Sequence, residues 1–195
     1  MKHVCGNGKL KGPSSIHMQS VDSVFDILDL SNHEYILDLG CGAGDYAIEA
    51  SKYVGEEGRV FAIDRAAIFI QNLDKKISIL DLKNIITKVS DITQVMPLKD
   101  DLFDCCFIST VLHAVDLKEF EENIFREIRR VMKPDGRLVI LECKSDRKKY
   151  GPPAERRISD VQLDSMVSKY GFKRIAFKDL GYNYICKYSL EGGLL

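Results

Sequence analysis

At 195 residues the chain is long enough for one domain that buries roughly 70% of the surface its unfolded form exposes, so no disulfide or metal is needed to hold a core. Its 28 Lys and Arg stand against 29 Asp and Glu, a formal net charge of −1, which excludes both a polycation built for nucleic acid and a charge-rich disordered segment. No apolar run approaches bilayer length, and the opening MKHVCGNGKLKGPSS lacks the apolar core of a signal peptide; a cytoplasmic location with no membrane partner is expected.

In chain order, a helix is predicted around Val21 to Leu28, within an N-terminal segment 1–33 that can cap the rest. Tyr35 to Leu39 and Arg59 to Ile63 read as buried parallel strands, short apolar runs bounded by charged or turn residues. Phe69, Leu73, Ile77 and Leu80 make one helical stripe, and Ile85 to Val89 a weaker strand. Phe103 to Ile108 is a fourth strand. Leu117, Phe120, Ile124, Ile128 and Val131 stripe a helix that stops at the turn Lys133-Pro134-Asp135-Gly136, before a strand over Arg137 to Leu141.

The segment 144–158 carries six basic residues, two acids and adjacent prolines, and reads as a basic lid loop. Ser159 and Gln162 form a capping box for a helix ending at Gly171. Lys173 to Lys178 and Tyr182 to Tyr188 are joined too tightly for a crossover helix and make an antiparallel hairpin. The fold class expected is α/β, a Rossmann-like, doubly wound and mostly parallel sheet. Its core covers 34–188, and any ligand lies beyond the carboxyl ends of the strands.

The chemistry concentrates where the first strand ends. Asp38-Leu39-Gly40-Cys41-Gly42-Ala43-Gly44-Asp45 runs into a helix, and three alternate glycines let the backbone turn sharply and approach a ligand. Asp64, 20 residues beyond Gly44 at the end of the second strand, can accept both ribose hydroxyls of an adenosine. A dinucleotide fingerprint would place its third glycine one position later and a pyrophosphate at the helix start, where Asp45 would repel it. Asp38 and Asp45 suit instead the ammonium and sulfonium of S-adenosyl-L-methionine.

At this point the chain resembles class I S-adenosylmethionine-dependent methyltransferases of the small-molecule type that includes quinone-biosynthesis C-methyltransferases, over residues 34–188. The glycine loop matches that family's first motif and Asp64 its ribose-binding acid, with Arg65 beside the adenine. Ser90-Asp91-Ile92 matches the third motif, which implies Asp91 on the adenine amino group and Ile92 on the ring. The run Phe103 to His113, including Thr110, resembles the fourth strand and the loop around the sulfonium. Val131 to Leu138 resembles the turn into the fifth strand, with Asp135 in place of the first of two glycines. The resemblance implies a seven-stranded sheet.

Residues 38–44, Asp64, Arg65, Asp91, Ile92 and Thr110 are therefore the expected cofactor site. His113 stands at a strand end where an imidazole can act as general base, although a packing role fits the same place. Cys143 with Cys5 is a conceivable thiol pair for a soft metalloid, but of six cysteines only Cys5 lies in polar sequence, and the others read as buried hydrophobes. His3, Cys5 and His17 lack metal-ligand spacing, so no metal is expected. Arg156 and Arg157 could clamp an anionic small-molecule substrate. Two further readings stay open: a nicotinamide-dependent oxidoreductase of the same layout, and a module that binds the cofactor without catalysis.

Overall fold

The computed structural model describes residues 15–146 and 151–191. The strands are β1 Tyr35–Leu39, β2 Arg59–Asp64, β3 Ile85–Val89, β4 Phe103–Ser109, β5 Met132–Cys143, β6 Phe172–Asp179 and β7 Asn183–Leu190. They form one seven-stranded sheet in the order β3-β2-β1-β4-β5-β7-β6. The first five pair in parallel, and β7 runs antiparallel to both β5 and β6, as the hairpin predicts.

Alternation along the central strands explains why both faces are covered. Cys106, Ile108, Leu138 and Ile140 point to one side, into a core with Ile124, Phe125, Ile128 and Val131 of α4 (Leu117–Val131) and Leu163 and Val167 of α5 (Asp160–Ser168). Their neighbours Cys105, Phe107, Val139 and Leu141 point the other way, onto α1 (Val21–Leu28), α2 (Asp45–Val54) and Leu73 of α3 (Ala67–Ile79). Two apolar layers sandwich one sheet, the doubly wound arrangement.

Several helix ends follow from local chemistry. Ser20 caps α1 by accepting from the Ser23 N–H, and the Ser159–Gln162 capping box opens α5. Two expectations change. The turn at Lys133 to Gly136 is absorbed into β5, where the register jumps from Phe103 opposite Met132 to Cys105 opposite Arg137; the extra residues bulge while the strand continues. The α3 stripe is also narrower than predicted, because only Ile70 and Leu73 are buried and Leu80 lies past the helix, 54% exposed.

The chain reverses its order of strands between β1 and β4. β1 pairs with β2 on one side and β4 on the other, so the loops leaving β1 and β4 diverge over opposite faces and leave a crevice at their carboxyl ends.

Candidate cofactor site

A cleft of about 770 Å³ opens in that crevice. The glycine loop after β1 forms its floor. Gly40 and Cys41 donate their backbone N–H groups to the Ile63 carbonyl at 2.8 and 2.9 Å, which pulls the loop toward β2. Gly42 has φ +52, and a Cβ built on it would meet nothing within 4 Å, so the space above this residue is open. Gly44, φ +77, turns the other way; its Cβ would strike Leu73 Cδ1 at 2.3 Å. Gly40, Cys41 and Gly42 line the cleft, whereas Gly44 is outside the lining and packs on α3.

Asp64, at the end of β2, braces this loop. Its Oδ2 accepts from Gly42 N–H at 3.0 Å and its Oδ1 from Ala66 N–H at 2.8 Å. Arg65 follows at the rim. Asp38 is different in kind. It is buried, its Oδ2 has no hydrogen-bond partner, and burial, with the Asp64 charge adding to it, pushes its carboxyl up to about 7. An acid without a partner at the wall of an open cleft is a waiting acceptor for a cation.

Asp91 and Ile92 close the third side, after β3. Asp91 Oδ1 accepts from both the N–H and the hydroxyl of Thr93 at 2.9 Å, a local turn that fixes its carboxylate. Thr110, after β4, lines the fourth side with φ +56, an uncommon conformation for a β-branched residue. Its N–H donates to the Leu141 carbonyl at 2.8 Å and its hydroxyl to the Ser109 carbonyl at 2.7 Å. Burial, then the Asp38 and Asp64 charges, push the Cys41 thiol far up, so it serves the wall as an uncharged group.

Asp45 corrects part of the argument from charge. Lys76 on α3 lies 2.9 Å from its Oδ1 and also donates to the Ala43 carbonyl at 2.8 Å, so a cation offsets the acid at the helix start. The preference for a cationic ligand rests on Asp38. No local pattern points to Lys76, which is 31 residues from its partner. Phe69 and Tyr46, both lining the cleft, were equally invisible as site residues; Phe69 lay in the predicted core stripe. Tyr46 accepts a hydrogen bond from Gln19 Nε2 at 2.5 Å, and Gln19 Oε1 accepts from Asn183 Nδ2 at 2.8 Å.

His113 is not in the cleft lining; it turns toward the end of β5, where its Nδ1 lies 2.8 Å from Glu142 Oε2. Cys143 is buried, with its thiol pushed up to about 11 by burial first and Glu142 next, and Cys5 and His3 lie outside the described residues. His17 is exposed. In the basic segment, Arg157 donates to the carbonyls of Pro152 and Lys144 at 2.8 and 3.0 Å, which leaves Arg156 as the exposed member of the pair.

A methyltransferase-domain family model matches residues 30–171, most of the chain. This chain belongs to that family. The methyltransferase is 34% identical over 129 residues to the ubiquinone/menaquinone biosynthesis C-methyltransferase UbiE of Pectobacterium carotovorum, covering 66% of this chain and 47% of that protein. It is 34% identical over 118 residues to the demethylmenaquinone methyltransferase of Lactobacillus johnsonii, covering 60% and 47%. It thus spans about half the length of these curated relatives. Among solved structures, a SAM-dependent methyltransferase from Aquifex aeolicus superposes with a TM-score of 0.82 at 28% identity, over 92% of this chain and 94% of that one. The cofactor of the class is S-adenosyl-L-methionine, which separates this methyltransferase from the nicotinamide enzymes of similar layout. Among the described residues no helix is long and apolar enough to cross a membrane.

Proposed function

We propose that this chain transfers the methyl group of S-adenosylmethionine to a small-molecule acceptor by in-line displacement. The observation that carries the reading is the buried, unpartnered Oδ2 of Asp38 beside the open space over Gly42. The ammonium of the cofactor's methionine part would supply the missing partner and hold the carboxyl ionised. When bound, the cofactor provides an electrophilic methyl on a cationic sulfur.

The chain's own residues bind and orient. Asp64 uses one lone pair of Oδ2 on Gly42 N–H and one of Oδ1 on Ala66 N–H, and keeps the others for the ribose hydroxyls. Asp91 and Ile92 hold the adenine, and Arg65 flanks it at the rim. Thr110 and the loop after β4 face the sulfonium. Holding donor and acceptor in line supplies much of the rate, because it replaces a bimolecular encounter with a positioned one.

One relative is named a ubiquinone/menaquinone biosynthesis C-methyltransferase and another a demethylmenaquinone methyltransferase, so an aromatic acceptor leads the screen. An anionic acceptor is the second class, with exposed Arg156 as the residue to test. Calorimetry with S-adenosylhomocysteine and with a nicotinamide dinucleotide tests the cofactor; heat from the dinucleotide alone would overturn the assignment. Transfer of radiolabelled methyl to phenols, quinols, thiols or arsenite, abolished in Asp64→Ala, tests the reaction. Tight S-adenosylhomocysteine binding without transfer to any class would favour a module that binds but does not catalyse.

A further inference from the structure

Glu142 is the last acid one would place at its position. It ends the apolar run Leu138 to Leu141 in the centre of the sheet and is completely buried. A carboxylate there is costly unless it is partnered, and here it has three partners. Its Oε1 accepts from Leu112 N–H at 2.8 Å, and its Oε2 accepts from Cys143 N–H at 3.3 Å and lies 2.8 Å from His113 Nδ1.

Two backbone N–H groups already treat this carboxylate as an acceptor, so the ring nitrogen facing it is the donor. In the neutral ring this places the proton on Nδ1 and leaves the Nε2 lone pair available. His113 sits in the short turn Leu112–Ala114, and its neighbours Val111, Ala114 and Val115 line the cleft beside Thr110. The ring is 18% exposed and stands just behind the cleft wall that these neighbours form.

A brace between this turn and β5 needs only the Leu112 contact. A buried acid that also orients an imidazole is the arrangement that keeps one tautomer ready and stabilises the imidazolium formed when the ring takes a proton. The nearby Cys143 thiol, protonated at neutral pH, offers no competing base.

We propose that His113 is the proton acceptor of the methyl transfer and Glu142 its positioning residue, acting on an acceptor whose attacking electrons are released by loss of an O–H proton. This rests on the methyl-transfer reading above. His113 Nε2 takes the O–H proton as the acceptor's electron pair forms the new bond to the methyl carbon. The carbon–sulfur bond breaks with its pair returning to sulfur, giving neutral S-adenosylhomocysteine. The imidazolium, held against Glu142, passes its proton to water as product leaves.

The test uses a series of phenols with radiolabelled S-adenosylmethionine and the full chain. His113→Asn is expected to lower kcat at least about 100-fold with unsubstituted phenol, the scale of a lost general base. With pentafluorophenol, almost wholly ionised at neutral pH, the loss should fall below about 10-fold, because no proton remains to be taken. S-adenosylhomocysteine affinity should stay within about 3-fold of wild type, and Glu142→Gln should fall between wild type and His113→Asn. An equal loss for both phenols, an unchanged rate, or transfer by the wild type to thiols alone would overturn the proposal. Failure of the methyl-transfer reading shows separately, as absence of transfer to every acceptor class.

Discussion

The carboxylates of Asp38 and Asp64 end adjacent strands and have opposite fates: both oxygens of Asp64 are engaged by backbone N–H groups, while Oδ2 of Asp38 is buried with none. A proton held by Asp38 in the folded chain is released near 3.8 in the unfolded one, against about 7 folded. The folded state therefore binds more protons between these values, and stability from this group, complete below about pH 4, is lost as pH rises to about 7.

Without cofactor, Asp38→Asn should gain stability relative to wild type as pH rises from 4 to 8, by about 4 kcal/mol at most from a shift of this size. S-adenosylhomocysteine should reverse the order above pH 7, since its ammonium favours the ionised carboxylate. Thermal melts of both proteins across pH, with and without that ligand, provide the check; parallel curves would remove Asp38 from the binding site.

Gly42 and Gly44 should separate binding from folding. Gly42→Ala costs about 1 kcal/mol for its left-handed backbone and clashes with nothing, yet places a methyl where the cofactor would lie. Gly44→Ala drives a Cβ into buried Leu73 and should cost about 3 kcal/mol. Urea unfolding and calorimetry should show a large affinity loss in the first and a large stability loss in the second.

Thr110 holds a left-handed conformation at the cleft edge, which costs a β-branched residue about 1 kcal/mol or more. Thr110→Asn should relieve that strain and raise stability by up to about 1 kcal/mol, since Asn tolerates this region. Cofactor affinity should fall in the same variant. A destabilised Thr110→Asn would mean that the hydroxyl bond to the Ser109 carbonyl outweighs the strain.

Arg137 is a structural keystone far from the cleft. Its guanidinium forks onto Glu34 at 2.7 and 2.9 Å and also donates to the carbonyls of Leu28 and Asp29, tying the end of α1 to β5. The group is only 14% exposed. Arg137→Met should leave Glu34 with the Ser31 N–H but no cation and cost about 3 kcal/mol, with cofactor affinity in the folded fraction unchanged. Chemical denaturation followed by ligand titration distinguishes the two effects.

Most of the fold was legible because buried strands and striped helices announce themselves in apolar spacing. The capping box at Ser159 and the hairpin after Gly171 are equally local signals. β5 ran longer than expected because Met132 pairs with Phe103 before the bulge and Arg137 with Cys105 after it, which keeps Lys133 to Gly136 within one strand. In the cleft, the glycine loop, Asp64, Asp91 and Thr110 came from sequence, since each ends a strand. Lys76, Tyr46 and Glu142 did not, because their roles depend on partners 27 to 31 residues away. An acid closing the apolar run at Glu142 was the one visible hint.

The path from Asn183 through Gln19 to Tyr46 joins the last strand, the first described turn and the cleft wall, with Gln19 and Asn183 separated by 164 positions. One side of the cleft is thus braced only when Asn183 is present and β7 lies between β5 and β6. A ribosome-bound chain lacking β7 would own every glycine of the loop and still present an unfinished pocket. Ligand capture in such a molecule reports completion of the sheet, and S-adenosylhomocysteine would act as a late clamp on it.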